Sequence, residues 1–122
     1  MSDNLFDLTG EVGVVIGATG ALGGACALAM AKAGAKIAVV GRNDERGQAR
    51  VDEITNFGGK AEFFNCDAMN PNSLKSSHEE IRKSLGPPTV LLNAAGGNDP
   101  DATVTTDMPF ENIPQPAWSK VF

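Results

Sequence analysis

The stretch Val12-Gly13-Val14-Val15-Ile16-Gly17-Ala18-Thr19-Gly20-Ala21-Leu22-Gly23-Gly24 decides the fold. Within Glu11 to Ile16 the apolar run Val12, Val14, Val15 and Ile16 reads as a buried strand ending at Gly17. Leu22 to Ala33 is rich in Ala and Leu, contains no Pro, and meets Gly34 at the place of a C-terminal cap, so it reads as a helix. The glycines between them form a tight turn. Glycine has no Cβ and reaches backbone angles that other residues avoid. The start of a helix adds unpaired N–H groups and the positive end of its dipole. Gly17 is expected to make the turn at the strand end, Gly20 or Ala21 to leave room for a ligand, and Gly23 to bring the helix close to the strand.

Outward from this turn the chain alternates. Ile37 to Val40 reads as a second strand, and Asn43 or Asp44 can cap a second helix with Val51, Ile54 and Phe57 on one face. Gly58-Gly59 stops it, and Ala61 to Asn65 is a third strand. Asn72 or Ser73 caps a third helix with Leu74, Ile81 and Leu85 as its apolar face, and Gly86-Pro87-Pro88 ends it. Thr89 to Leu92 is a fourth strand. Strand and helix in strict alternation, joined by right-handed crossovers, give a Rossmann-type α/β fold: a parallel sheet with helices on both faces, here cut short after the fourth strand. The βα units occupy 1–97. Residues 98–116, with their prolines, Asp and Thr, read as a long loop, and 117–122 as the opening of an incomplete helix.

Composition narrows the ligand. Ten basic residues against fifteen acidic ones give a net charge of −5. A surface that acidic repels a nucleic-acid backbone, so any phosphate site must be local and built largely from backbone N–H groups. No apolar run approaches the roughly 20 residues of a membrane span. Met1-Ser2-Asp3-Asn4 lacks the regions of a signal peptide, so a cytoplasmic protein is expected. Cys26 and Cys66 make no disulfide framework and read as small buried hydrophobes. With one His and two isolated Cys, no metal site is expected. His78, flanked by Ser76, Ser77, Glu79 and Glu80, reads as an exposed helix side chain and not a general base.

A Gly-x-x-Gly-x-x-Gly spacing alone suits a purely structural turn equally well. A strand before it and a helix after it are the context of a pyrophosphate site for a dinucleotide. Gly17, Thr19, Gly20, Ala21, Leu22 and Gly23 are its candidate contacts. No Gly-Lys-Ser/Thr follows, which excludes a Walker-type loop. In dinucleotide folds an acidic residue about 20 positions beyond the glycines reads the adenosine ribose and favours NAD. Here Gly41 stands there, followed by Arg42 and Asn43, so no carboxylate repels a 2′-phosphate and Arg42 can pair with one. The expected cofactor is NADP in preference to NAD; otherwise Arg42 is an ordinary solvated loop residue.

These residues resemble the short-chain dehydrogenase/reductase family. The likeness runs through Phe6-Asp7-Leu8-Thr9-Gly10-Glu11-Val12, the glycine turn, Cys66-Asp67, and Asn93-Ala94-Ala95-Gly96, which is similar to the family's Asn-Asn-Ala-Gly motif. Pro116-Ala117-Trp118-Ser119-Lys120-Val121-Phe122 looks like the opening of the family's next helix. Leu91 to Asn98 looks most like members that act as mannonate oxidoreductases or fructuronate reductases. Ile16 stands where the family usually has Thr, Gly20 precedes the usual middle glycine position at Ala21, and Ala94 replaces the second Asn. The Gly-Ala-Thr-Gly-Ala-Leu-Gly form is closer to the family's extended branch, which includes sugar-nucleotide epimerases.

The resemblance implies that Asp67 holds the adenine amino group with the backbone of Ala68 beside it, and that Asn93, Ala94, Ala95 and Gly96 steady the central strand and line the ribose. From the residues alone, Asp67 could instead cap a turn before Asn70-Pro71, and Asn93 could bond a neighbouring strand. The resemblance also implies catalysis by Tyr, Lys and Ser. This chain has no Tyr, and it stops at Phe122, just before the family's catalytic Asn is due. No catalytic residue is therefore assigned, and the chain alone is expected to be inactive. In full-length form the expected protein is a homo-oligomeric oxidoreductase moving a hydride to or from an alcohol or ketone of a small polyol or sugar acid. A stand-alone NAD(P)-binding module and an epimerase-like enzyme are the alternatives.

Overall fold

The computed structural model describes residues 4–96 and 100–121. Its elements in chain order are β1 (Val12–Ile16), α1 (Ala21–Lys32), β2 (Lys36–Gly41), α2 (Asp44–Asn56), β3 (Lys60–Asn65), α3 (Pro71–Ser84), β4 (Val90–Asn93) and α4 (Gln115–Val121). The four strands form one parallel sheet in the order β3-β2-β1-β4. Ile16, the last residue of β1, is level with Val40 on one side and Asn93 on the other. The strand order reverses at β1, so the crevice beyond its carboxyl end lies between β2 and β4.

Alternation along the strands sorts the core into two faces. Val15, Ile37 and Val39 pack with Ala27 and Ala31 of α1 and with Val51 and Ile54 of α2. Val12, Val14, Ala38, Val40 and Phe64 pack with Ile81 of α3 and with Leu85. The sheet therefore carries α1 and α2 on one face and α3 on the other, as its Rossmann-type pattern requires. Gly23, Gly24, Ala27 and Ala31 are the buried residues of α1, and their small size lets the helix sit close to β1.

Several local expectations change. Phe57 does not join Val51 and Ile54 in the core. It is the C-cap of α2, 42% exposed, and its ring lies 5.6 Å from the Lys32 ammonium. The cap of α3 is Asn70, not Asn72 or Ser73: its Oδ1 accepts from the N–H groups of both those residues, and Pro71 fits the first helical turn because its missing N–H needs no partner. Asn43 caps α2. Cys66 is buried, whereas Cys26 is only half-buried. The segment read as loop contains two 3-10 turns, Pro100–Ala102 and Phe110–Asn112, and a bridge from Thr105 to Met108. The final helix starts at Gln115, two residues before Ala117, because the Pro114 carbonyl accepts from both Ala117 and Trp118. Trp118 meets Phe110 edge to face at 5.6 Å, and this pair ties α4 to the preceding turn. Gly97 and Asn98, at the junction of the βα units with the loop, and the terminal Phe122 lie outside the described residues.

The β4 side of the sheet is poorly covered. Leu91 is 67% exposed. A groove of about 320 Å³ runs between α3 and β4, lined by Leu74, His78, Ile81, Val90 and Leu91 among others. His78 is exposed there and lies outside the crevice at the end of β1. An apolar groove beside an unpaired strand edge favours association. The 122-residue chain on its own is therefore expected to self-associate in sedimentation velocity, and Leu91→Lys to shift it toward monomer. A compact monomer at all concentrations from the unaltered chain would contradict this.

Candidate functional site

The turn between β1 and α1 is held from several directions. The Gly17 N–H donates to the Val40 carbonyl at 2.9 Å, and the Ala94 N–H donates to the Ile16 carbonyl at 2.8 Å. Gly17 has φ of +86°, and a Cβ there would come within 2.7 Å of the Ala94 carbonyl carbon and 2.8 Å of the Ala95 nitrogen. A Cβ on Gly23 would overlap the Gly17 carbonyl oxygen. Both glycines are thus demanded by the packing of the protein against itself.

Gly20 is different. Its φ of −84° suits any residue, and a Cβ there would sit 3.5 Å from the nearest atom outside its chain neighbours, an ordinary contact. A Cβ on Gly96 would meet nothing within 4 Å among the described residues. Neither internal packing nor backbone strain calls for glycine at these two positions, and both line the crevice. Gly20 is also the N-cap of α1, and no side chain caps that helix, whereas Asn43 caps α2 and Asn70 caps α3. Among the described residues, the first N–H groups of α1 therefore have no side-chain acceptor, and the positive end of the helix dipole lies at the crevice.

The crevice, about 270 Å³, is lined by Ile16, Gly17, Thr19, Gly20, Gly41, Arg42, Cys66, Ala68, Ala94, Ala95 and Gly96. Of the residues singled out in the sequence, it gathers Gly17, Thr19, Gly20, Arg42, Ala68, Ala94, Ala95 and Gly96. Ala21, Leu22, Gly23, Asn43, Asp67 and Asn93 are not in its lining. Leu22 is 82% exposed on α1. The Asn43 Oδ1 accepts from the Arg46 N–H at 2.9 Å. The Asp67 Oδ1 accepts from the Met69 N–H at 3.0 Å, an Asx-type turn. The Asn93 Oδ1 accepts from the Ala95 N–H at 3.1 Å, so it shapes the turn after β4 within its own segment.

Three features escaped the sequence reading. Gly41 is small because a Cβ there would meet the Thr19 Cγ2 at 2.7 Å, which couples the end of β2 to the glycine turn. The Asn65 side chain donates to the Asp44 carboxylate at 2.6 Å and to the Arg42 carbonyl at 3.3 Å, fixing the turn that presents Arg42. Arg50 of α2 reaches the back of the glycine turn and donates to the Ala18 carbonyl at 3.2 Å and the Gly20 carbonyl at 3.5 Å. The sequence sign for the last was Gly24, a further glycine inside a helix. Among the described residues, no group of three or more His, Cys, Asp or Glu could hold a metal ion, and no helix is long and apolar enough to cross a membrane.

A family model described as short chain dehydrogenase matches residues 11–122. The chain belongs to this family. It is 41% identical over 96 residues to an uncharacterized oxidoreductase, UxuB, of Bacillus subtilis (strain 168), covering 79% of this chain and 34% of that protein. It is 42% identical over 86 residues to a 3beta-hydroxysteroid dehydrogenase of Mediterraneibacter gnavus, covering 70% of this chain and 31% of that protein. Among solved structures, a hydroxysteroid dehydrogenase from Escherichia coli is similar with a TM-score of 0.75 and 30% identity, over 87% of this chain and 44% of the other. The chain thus spans about a third of the length of these two relatives.

The difference between the glycines is measurable without ligand. Gly17→Ala combines a positive φ with a backbone collision and is expected to cost roughly 2–4 kcal/mol of unfolding free energy, or to prevent folding. Gly20→Ala is expected to stay within about 1 kcal/mol of the unaltered protein. Urea titration followed by circular dichroism checks this, and equal losses from the two substitutions would refute it.

Proposed function

We propose that the crevice binds NADP, with NAD as the weaker ligand, and that these residues form the cofactor-binding part of a longer dehydrogenase or reductase. Gly20 carries the reading: it keeps no side chain although the protein's own packing does not forbid one, and it stands at an uncapped helix start. A pyrophosphate needs that combination of room and N–H donors. Gly17, Thr19, Gly20, Ala21, Leu22 and Gly23 would provide the turn and its amides. Asp67 and Ala68 would meet the adenine, and Asn93, Ala94, Ala95 and Gly96 the ribose side. In this reading the Asp67 carboxylate keeps one oxygen for the adenine amino group while the other accepts from Met69.

Arg42 supports the preference for NADP. It is exposed at the crevice mouth, and Asn65 holds its carbonyl and the neighbouring Asp44 carboxylate. A planar guanidinium matches a 2′-phosphate, and the Asn65 amide holds the Asp44 carboxylate in place at 2.6 Å. Asn43, whose side chain caps α2, would contribute through its backbone.

When bound, the dinucleotide supplies the redox chemistry, giving or taking a hydride. The residues of this chain bind it, orient it along the strand ends and keep its phosphates fixed. We place the reaction on an alcohol or ketone of a small polyol or sugar acid, supported by the likeness of Leu91 to Asn98 to mannonate oxidoreductases. The whole enzyme is proposed to work as a cytoplasmic homo-oligomer. The absence of any Tyr supports the view that the 122 residues bind without turning over.

The expected outcome in fluorescence titration is NADPH binding about tenfold tighter than NADH, with Arg42→Ala removing most of the difference. Tighter binding of NADH would overturn the NADP assignment. Turnover assays on the full-length protein should favour sugar acids over hydroxysteroids, and activity confined to hydroxysteroids would overturn the substrate class.

A further inference from the structure

We infer that Arg50 is a positioning residue for the glycine turn and that Gly24 exists to admit it; the inference rests on the dinucleotide reading above. Arg50 projects from α2 onto the back of the turn, with its side chain 20% exposed. Its Nε donates to the Ala18 carbonyl at 3.2 Å and its Nη2 to the Gly20 carbonyl at 3.5 Å. Glu53, one turn further along α2, takes Nη1 at 3.1 Å. A Cβ on Gly24 would lie 2.5 Å from Arg50 Cζ and Nε and 2.7 Å from Nη2. The guanidinium therefore rests directly against the α1 backbone at a place where any other residue would displace it.

Two consequences follow from peptide geometry. In a trans peptide the C=O and N–H point in opposite directions. Tying the Ala18 carbonyl to Arg50 turns the Thr19 N–H away from α2, and tying the Gly20 carbonyl does the same for the Ala21 N–H. Those are amides of the turn proposed to receive the pyrophosphate. The positive charge also polarises both peptides, which makes their N–H groups stronger donors. Arg50 needs no contact with the ligand to do this; it acts through the backbone it grips. The Gly20 carbonyl also accepts from the Gly24 N–H at 2.9 Å, so the helix and the guanidinium share one acceptor.

Gly24 provides the test that separates positioning from bulk stability. Glycine is the poorest helix former apart from proline, so Gly24→Ala should raise the melting temperature if helix propensity is all that is at stake. Because the atoms a Cβ would meet are the far end of a flexible side chain, Gly24→Ala should evict Arg50 and leave the backbone in place. In full-length protein we expect Arg50→Ala and Gly24→Ala each to weaken NADPH binding about tenfold, with the double variant no weaker than either single one. Arg50→Lys should recover part of the loss. In ligand-free protein, amide hydrogen exchange of residues 18–21 should quicken in both alanine variants. Unchanged affinity and unchanged exchange, or losses that add in the double variant, would overturn the role of Arg50. If the unaltered protein binds neither NADPH nor NADH, the proposed function falls, and the exchange measurement still decides whether Arg50 sets the turn.

Discussion

Gly17 sits between two strands' worth of backbone. The Val40 carbonyl takes its N–H on one side, and the peptide joining Ala94 to Ala95 closes on its Cα from the other. That grip depends on β1 being central, with β2 and β4 as its hydrogen-bonded neighbours. It also depends on Gly23, which lets α1 press on the Gly17 carbonyl. The crevice is a by-product of this closure. Three chain segments leave the sheet at the same level, and the space between them is lined by their turns.

Much of this was legible in the sequence because the signals were backbone signals. Apolar runs bounded by glycine marked the strands, and Asn43 marked the start of α2 correctly. The capping signal for α3 was present as well, but Asn70-Pro71-Asn72-Ser73 offers several eligible residues in a row. Proline decides among them, since it occupies the first turn and moves the cap one residue before itself. Phe57 misled because a spacing of three and six residues fits a helix face only while the helix lasts, and α2 ends at Asn56.

What stayed hidden was tertiary. Gly41 reads in sequence only as the lack of a carboxylate, and its packing against Thr19 shows in three dimensions alone. Arg50 drew no reading, because nothing in sequence links it to carbonyls some 30 positions earlier. The six candidate residues outside the crevice lining fall there for different reasons. Asn43, Asp67 and Asn93 use a side-chain oxygen in a cap or local turn, Ala21 and Leu22 are exposed, and Gly23 is packed on the Gly17 carbonyl.

The bare start of α1 has a thermodynamic side. Asn43 and Asn70 give their helices a permanent acceptor, so α2 and α3 begin at fixed points whatever is in solution. At α1 no described side chain supplies that acceptor, which leaves the place open to water or a bound anion. An anion that supplies it does for α1 what asparagine does for the other two, and its binding energy adds to the folding energy of the domain. The first turn of α1 then gains stability with the logarithm of ligand concentration above the dissociation constant, so occupancy is written into how firmly that helix is wound.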